Sequence, residues 1–231
     1  MSLEYIERNV TRTRERIRQA AAAAGRNAEE ILLVAAVKYA TVEELDCLCH
    51  RHAVKDIGEN RVQQLLEHCE QVDLSDVNLH FSGTLQTNKV KYIIDKVKMI
   101  HSLDSIKLAA EIDRQAKKHG LVMDVLVEIN SGEEVNKSGV MPAEAADFCL
   151  ALREFPNLRH RGFMTMAPKC DQKEDYLKYF QQTYEQVLDI WTKKLHNIDR
   201  PILSMGMSES FEEAIACGSD MVRVGRSLFV R

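Results

Sequence analysis

Lys38 ends an unbroken apolar run, ILLVAAVK over Ile31–Lys38. A neutral primary amine at such a place can attack a carbonyl carbon and hold it covalently. The same residue also reads as a lysine snorkelling to water where a buried strand ends. A second chemistry gathers near the other end of the chain. Gly206 lies within Ser204–Ser208 (SMGMS), and Gly225 lies within Val222–Ser227 (VRVGRS). Glycine lets backbone amides come close to an anion. Ser204, Ser208, Ser227, Arg223 and Arg226 supply further donors there. Taken singly, these are turn glycines and half of an ordinary ion pair.

The elements that must position these residues alternate. An amphipathic helix opens the chain, with Leu3, Ile6, Val10, Thr13, Ile17 and Ala21 at three- and four-residue steps and Gly25 as its C-cap. Strands are expected at Ile31–Val37, Val54–Ile57, Leu79–Phe81, Met99–Leu103, Val122–Ile129, Leu158–Met166, Pro201–Leu203 and Met221–Val224. Between them the pattern predicts helices over Val42–His52, Arg61–Val72, Asn88–Val97, Ser105–His119, Pro142–Glu154, Asp175–Leu195 and Phe211–Cys217. Thr41 with Glu44 forms a capping box for the first of these, and Ser208 or Ser210 caps the last. Strand–helix units of about 29 residues give the rhythm of a (β/α)8 TIM barrel. The fold class is therefore α/β, as one barrel domain over residues 1–231 with an extra N-terminal helix.

In a barrel every strand ends on one rim, and the loops after strands seven and eight are the usual phosphate site. Lys38 then faces an anion cradle across the mouth. That pairing suits pyridoxal phosphate, whose aldehyde takes an amine and whose phosphate takes amides. Asn60, His80, Ser82, Asn130, Lys137 and Thr165 fall on the same rim. His80 either packs against a bound ring or is a satisfied core histidine.

Composition excludes other classes. The net charge of −4 provides no basic field for nucleic acid or an anionic membrane. No apolar run is long enough to span a membrane, and MSLEYIERN has no signal-peptide core. Six irregularly spaced cysteines read as reduced thiols, which places the chain in the cytoplasm. Cys47 and Cys49, near His50 and His52, do not match the usual C-x2-4-C spacing of a structural zinc site, so no metal is expected.

The blocks VAAVKYA, DIGENRVQQ, LHFSGTLQTNK, NKSG, RGFMTM, LSMGMSESFEEAI and GSDMVRVGRSLF run in order along the chain. Together they resemble the pyridoxal 5′-phosphate homeostasis protein family, relatives of the N-terminal barrel of fold-type III enzymes such as alanine racemase. The resemblance implies a Schiff-base lysine at Lys38 and places Asn60 near the ring substituents. It implies a phosphate held by Ser204, Met207 and Ser208, the last two partly through backbone N–H. Gly225 and Arg226 complete that cradle by backbone N–H, and Arg223 faces the pyridine nitrogen. Tyr39, Thr84 and Arg226 depart from the family's usual residues, and Arg226 is a candidate for adding side-chain charge to the phosphate.

An arginine at the pyridine nitrogen makes the ring a weaker electron sink than a carboxylate does, because arginine offers donors and keeps its proton. Burial and a nearby cation are expected to keep Lys38 neutral. The resemblance implies a monomeric carrier in cofactor and amino-acid homeostasis, serving apo-forms of pyridoxal-phosphate enzymes, with little or no turnover. A fold-type III racemase or lyase is the alternative, and a Schiff-base aldolase is a third. Lys137 reads either as a solvent-facing loop lysine or as a second, transient docking point for the cofactor.

Overall fold

The computed structural model describes residues 3–134, 136–193 and 200–231. Eight parallel strands close into one barrel in sequence order: β1 Leu32–Ala36, β2 Asp56–Glu59, β3 Asn78–Phe81, β4 Met99–Leu103, β5 Met123–Ile129, β6 Leu158–Thr165, β7 Ile202–Ser204 and β8 Met221–Val224. Closure comes from β1 pairing with β8, with Leu32 opposite Met221 and Val34 opposite Arg223. The helices are α1 Glu4–Ala23, α2 Val42–Asp46, α3 Val62–Gln71, α4 Ile106–Lys118, α5 Ala145–Ala151, α6 Lys173–Thr192, α7 Phe211–Ala216 and α8 Arg226–Phe229. No helix among the described residues is long and apolar enough to cross a membrane.

Strand residues alternate between two environments, because successive side chains point to opposite faces. One set joins the helices in a large core that includes Ala35, Ile57, Phe81, Ile100, Val127, Phe163, Leu203 and Val222. The other set faces the lumen, where Met99, Leu126, Met164 and Met221 form a separate buried cluster with Leu32 and Ile202 against it. These apolar side chains share the lumen with buried polar ones from other strands, among them His80, His101, Ser204 and Arg223.

α1 buries Tyr5, Ile6, Val10, Thr13, Ile17 and Ala21, largely the stripe expected, and packs on α7 and α8. The capping box at Thr41 is present: Glu44 N–H donates to Thr41 Oγ1 at 3.3 Å, and Thr41 N–H donates to Glu44 Oε2 at 2.8 Å. Several expectations need correction. The helix after Thr41 turns wider at Cys47–Arg51, a π turn in which His52 N–H reaches Cys47 C=O at 3.3 Å. β2 begins at Asp56 rather than Val54, because Val54 bonds back to the π turn instead of to the sheet. The segment after β3 is a 3-10 helix, Thr87–Tyr92, not an α-helix. Pro142–Glu154 splits into α5 flanked by 3-10 turns. α6 begins at Lys173, and the expected end at Leu195 lies outside the described residues. The short α8 had no apolar period long enough to read.

Candidate functional site

A chain of polar side chains crosses the lumen. Asp56 opens β2, and its Oδ1 lies 3.0 Å from His80 Nε2 on β3 and accepts from Asn78 Nδ2 at 3.0 Å. His80 Nδ1 lies 2.9 Å from His101 Nε2 on β4. His101 Nδ1 lies 3.2 Å from Ser204 Oγ on β7. β4 and β7 are not neighbours in the sheet, so that contact passes through the barrel interior. Ser204 then meets Arg223 on β8, whose Nη1 donates to Ser204 Oγ and to Ser204 C=O, both at 2.7 Å. Arg223 Nη2 donates to Thr165 C=O at 2.9 Å. His80, His101, Ser204 and Arg223 are all buried.

Burial lowers the Arg223 guanidinium to about 10, opposed by the charge of Glu128. At that value it remains a cation near neutral pH. Burial likewise pushes the His101 ring far down, with the Arg223 charge adding to the effect, so His101 is neutral. Burial raises the Asp56 carboxyl, but the hydrogen bonds from His80 and Asn78 outweigh it and the net direction is down. Glu128, on β5, is raised by burial and accepts from Ser138 Oγ at 2.9 Å.

The rim carries the remaining residues. Lys38 sits in a turn beyond β1, with Ala40 N–H bonded to Val37 C=O at 2.8 Å. It is solvent-exposed, its Nζ 4.9 Å from the Tyr39 ring centroid. The expected burial of this amine is therefore not found: the turn carries Lys38 past the last lumen-lining residues. Asn60 is half-buried just after β2. Gly206 has φ +91, and a Cβ there would lie 2.6 Å from Ala214 Cβ and 2.8 Å from Phe211 Cα, so the turn after β7 admits only glycine.

The two rim loops bond to each other. Gly225 N–H donates to Ser208 Oγ at 3.2 Å, and Met207 N–H donates to Ser210 Oγ at 3.3 Å. Two amides expected to face an anion are thus already engaged. The Arg226 side chain, expected to add charge to the cradle, pairs with Glu209 Oε1 at 2.7 Å in solvent. Lys137 is exposed and pairs with Glu134 Oε1 at 3.3 Å. Cys47 and Cys49 are buried thiols, the first raised by burial and the second raised by burial to about 11.

The alanine racemase N-terminal domain family matches this chain over residues 1–231. A relative from Aquifex aeolicus, named pyridoxal phosphate homeostasis protein, is 40% identical over 220 residues, covering 95% of each chain. This chain belongs to the pyridoxal phosphate homeostasis protein family. Among solved structures, a protein of unknown function from Bifidobacterium adolescentis superposes with TM-score 0.91 at 31% identity, covering 98% of this chain and 95% of that one. PipY of Synechococcus elongatus, solved with PLP bound, superposes with TM-score 0.79 at 26% identity, covering 93% of this chain and all of that one.

The residues present fit the family's cofactor. Ser227 Oγ is buried with no hydrogen-bond partner among the described residues, an orphan hydroxyl in the first turn of α8. A Cβ on Gly225 would come within 3.0 Å of Ala36 C=O, so glycine keeps the backbone of that loop close against β1. Among the described residues, the N–H groups of Ser208, Arg226 and Ser227 make no hydrogen bond, and neither does the Asn60 side chain. Arg223 keeps N–H donors beyond the three that are engaged. Sequence reading missed Asp56, His101 and Glu128. The parity of the strands was a usable signal for the first two, since Asp56, His80 and His101 all stand at lumen-facing positions.

Proposed function

We propose that this chain binds pyridoxal phosphate on Lys38 and acts as a monomeric cytoplasmic carrier in cofactor and amino-acid homeostasis, one barrel domain over residues 1–231 with little or no turnover. The observation that carries the reading is Arg223, a buried cation fixed by Ser204 and Thr165 that still has donors to offer. Assigned to the pyridine nitrogen, it keeps that nitrogen unprotonated and an acceptor. Pyridoxal phosphate supplies an aldehyde for a lysine and a ring that can withdraw electrons; an arginine partner weakens the withdrawal and leaves the holding function.

The other residues take roles consistent with their places. Lys38 would hold the cofactor through its aldehyde, and the exposed position of its amine would leave that linkage open to exchange with an incoming amine. Ser227 Oγ and the N–H groups of Ser208 and Arg226 hold the phosphate, with Gly225 N–H and Met207 N–H released from their serine partners to join them. Ser204 holds Arg223 rather than touching the phosphate, since its hydroxyl is already bonded on both sides. Asn60 lies beside the ring substituents. The name of the Aquifex relative and the ligand of PipY support this reading. Apo-forms of pyridoxal-phosphate enzymes are the proposed receivers.

The test is borohydride reduction of the protein mixed with pyridoxal phosphate, followed by peptide mapping. The expected label is on Lys38 alone. A label on another lysine, or none, overturns the reading. Interconversion of D- and L-amino acids at ordinary enzyme rates, roughly 10 per second, and lost in Lys38→Ala, would make the chain an enzyme instead.

A further inference from the structure

The hydrogen bonds across the lumen have a direction. Arginine has donors only, so Arg223 Nη1 gives its proton to Ser204 Oγ at 2.7 Å. That hydroxyl carries one proton of its own. Its remaining partner among the described residues is His101 Nδ1, at 3.2 Å. A proton sent there makes Nδ1 an acceptor, and the neutral ring then holds its own proton on Nε2. His101 Nε2–H faces His80 Nδ1 at 2.9 Å, which becomes an acceptor in turn. His80 keeps its proton on Nε2 and points it at Asp56 Oδ1, 3.0 Å away.

The opposite direction fails at both ends. The Ser204 proton would have no acceptor, and His80 would need a second proton to avoid presenting a lone pair to the Asp56 carboxylate. In the forward direction each hydrogen between Arg223 Nη1 and Asp56 has its acceptor, which is the condition a buried polar chain has to meet. The geometry also identifies a missing partner. Arg223 is a buried cation, yet all three of its bonds go to uncharged oxygens: Ser204 C=O, Ser204 Oγ and Thr165 C=O.

We propose that Asp56 is the counterion of Arg223, joined to it across the lumen through His80, His101 and Ser204, and that these are positioning residues for the guanidinium. The inference rests on the cofactor reading in one respect: the group being positioned is the one assigned to the ring nitrogen. A buried charge needs compensation, and aligned donors pass polarisation from one bond to the next. The carboxylate at the start of β2 therefore acts on the far side of the barrel. Glu128 is the rival counterion: its charge acts on Arg223 directly, whereas Asp56 reaches it only through the hydrogen-bonded chain. Glu128 accepts from Ser138 Oγ and makes no hydrogen bond to Arg223 among the described residues, whereas Asp56 is linked to Arg223 by an unbroken chain of hydrogen bonds.

Two measurements decide the matter. In 15N-labelled protein without cofactor, held well above the ordinary imidazole pKa of about 6.5, long-range proton–nitrogen correlation reads the tautomer of each ring. Both His80 and His101 are expected as Nε2–H tautomers. Either ring found as Nδ1–H, or His80 found doubly protonated, overturns the chain, and this test needs no variant to fold.

The second measurement compares affinity for pyridoxal phosphate with affinity for its analogue carrying CH in place of the pyridine nitrogen. Asp56→Asn keeps an acceptor for His80 and removes the charge. It is expected to lose about tenfold for pyridoxal phosphate and less than about twofold for the analogue, which gives Arg223 nothing to bond. Glu128→Gln is expected to show no such contrast. Equal losses for the two ligands in Asp56→Asn, or the same contrast in Glu128→Gln, overturn the assignment. Should the unaltered protein bind neither ligand, it is the cofactor reading that has failed, and the tautomers alone then decide the counterion.

Discussion

Single side chains make separable contributions, because some are engaged within the chain and others are not. Ser227 has a buried hydroxyl with no partner among the described residues. An unsatisfied buried polar atom costs about 1–3 kcal/mol, so Ser227→Ala should unfold at equal or higher denaturant without ligand. If the hydroxyl waits for a phosphate, the same variant should bind pyridoxal phosphate several-fold more weakly. Equilibrium unfolding and a binding titration on one preparation check both. Lys38→Ala makes the complementary case. The residue is exposed, so stability should move by less than about 0.5 kcal/mol, while the trapped adduct and its absorbance should vanish.

At the level of elements, the loop after β7 is the most constrained part of the rim. Gly206→Ala adds a Cβ that meets Ala214 and the Phe211 backbone at φ +91. We expect a loss of about 1–3 kcal/mol, with weaker ligand binding because the Ser208 and Gly225 contacts depend on this turn. Urea unfolding gives the first value and titration the second.

The elements also show what the chain revealed in advance. β4 and β8 match the expected ranges, and the Thr41 capping box is formed, because apolar runs and cap chemistry are local signals. β2 was misplaced because its lumen-facing positions are Asp56 and Gly58, so an apolar pattern does not mark it. The π turn at Cys47–Arg51 left no trace, since widening a helix by one residue needs no special side chain. Lys38, Arg223 and the glycine loops were legible from type and position. Asp56 and His101 stand at lumen-facing positions that strand parity marks, but their bonding to Ser204 and Arg223 was not legible, because contacts across the lumen arise from closure, and closure is not local.

For the whole molecule, the buried polar chain ties stability to pH. The unfolded His101 takes up a proton below about pH 6.5, whereas burial holds the folded ring neutral well below that. Above that pH both states are neutral and the stability is fully present. As pH falls, the unfolded state binds the extra proton, so stability drops by up to about 1.4 kcal/mol per pH unit for this group. Urea unfolding between pH 7 and pH 5 should show the decline, with a shallower slope in His101→Asn. An unchanged slope in that variant would assign the acid sensitivity to other groups.

Four side chains, Met99, Leu126, Met164 and Met221, pack together inside the barrel. A filled barrel gives a ligand no way through. On the proposed reading, a molecule held on Lys38 would have to leave by the rim at which it arrived, and a receiver would have to meet it there.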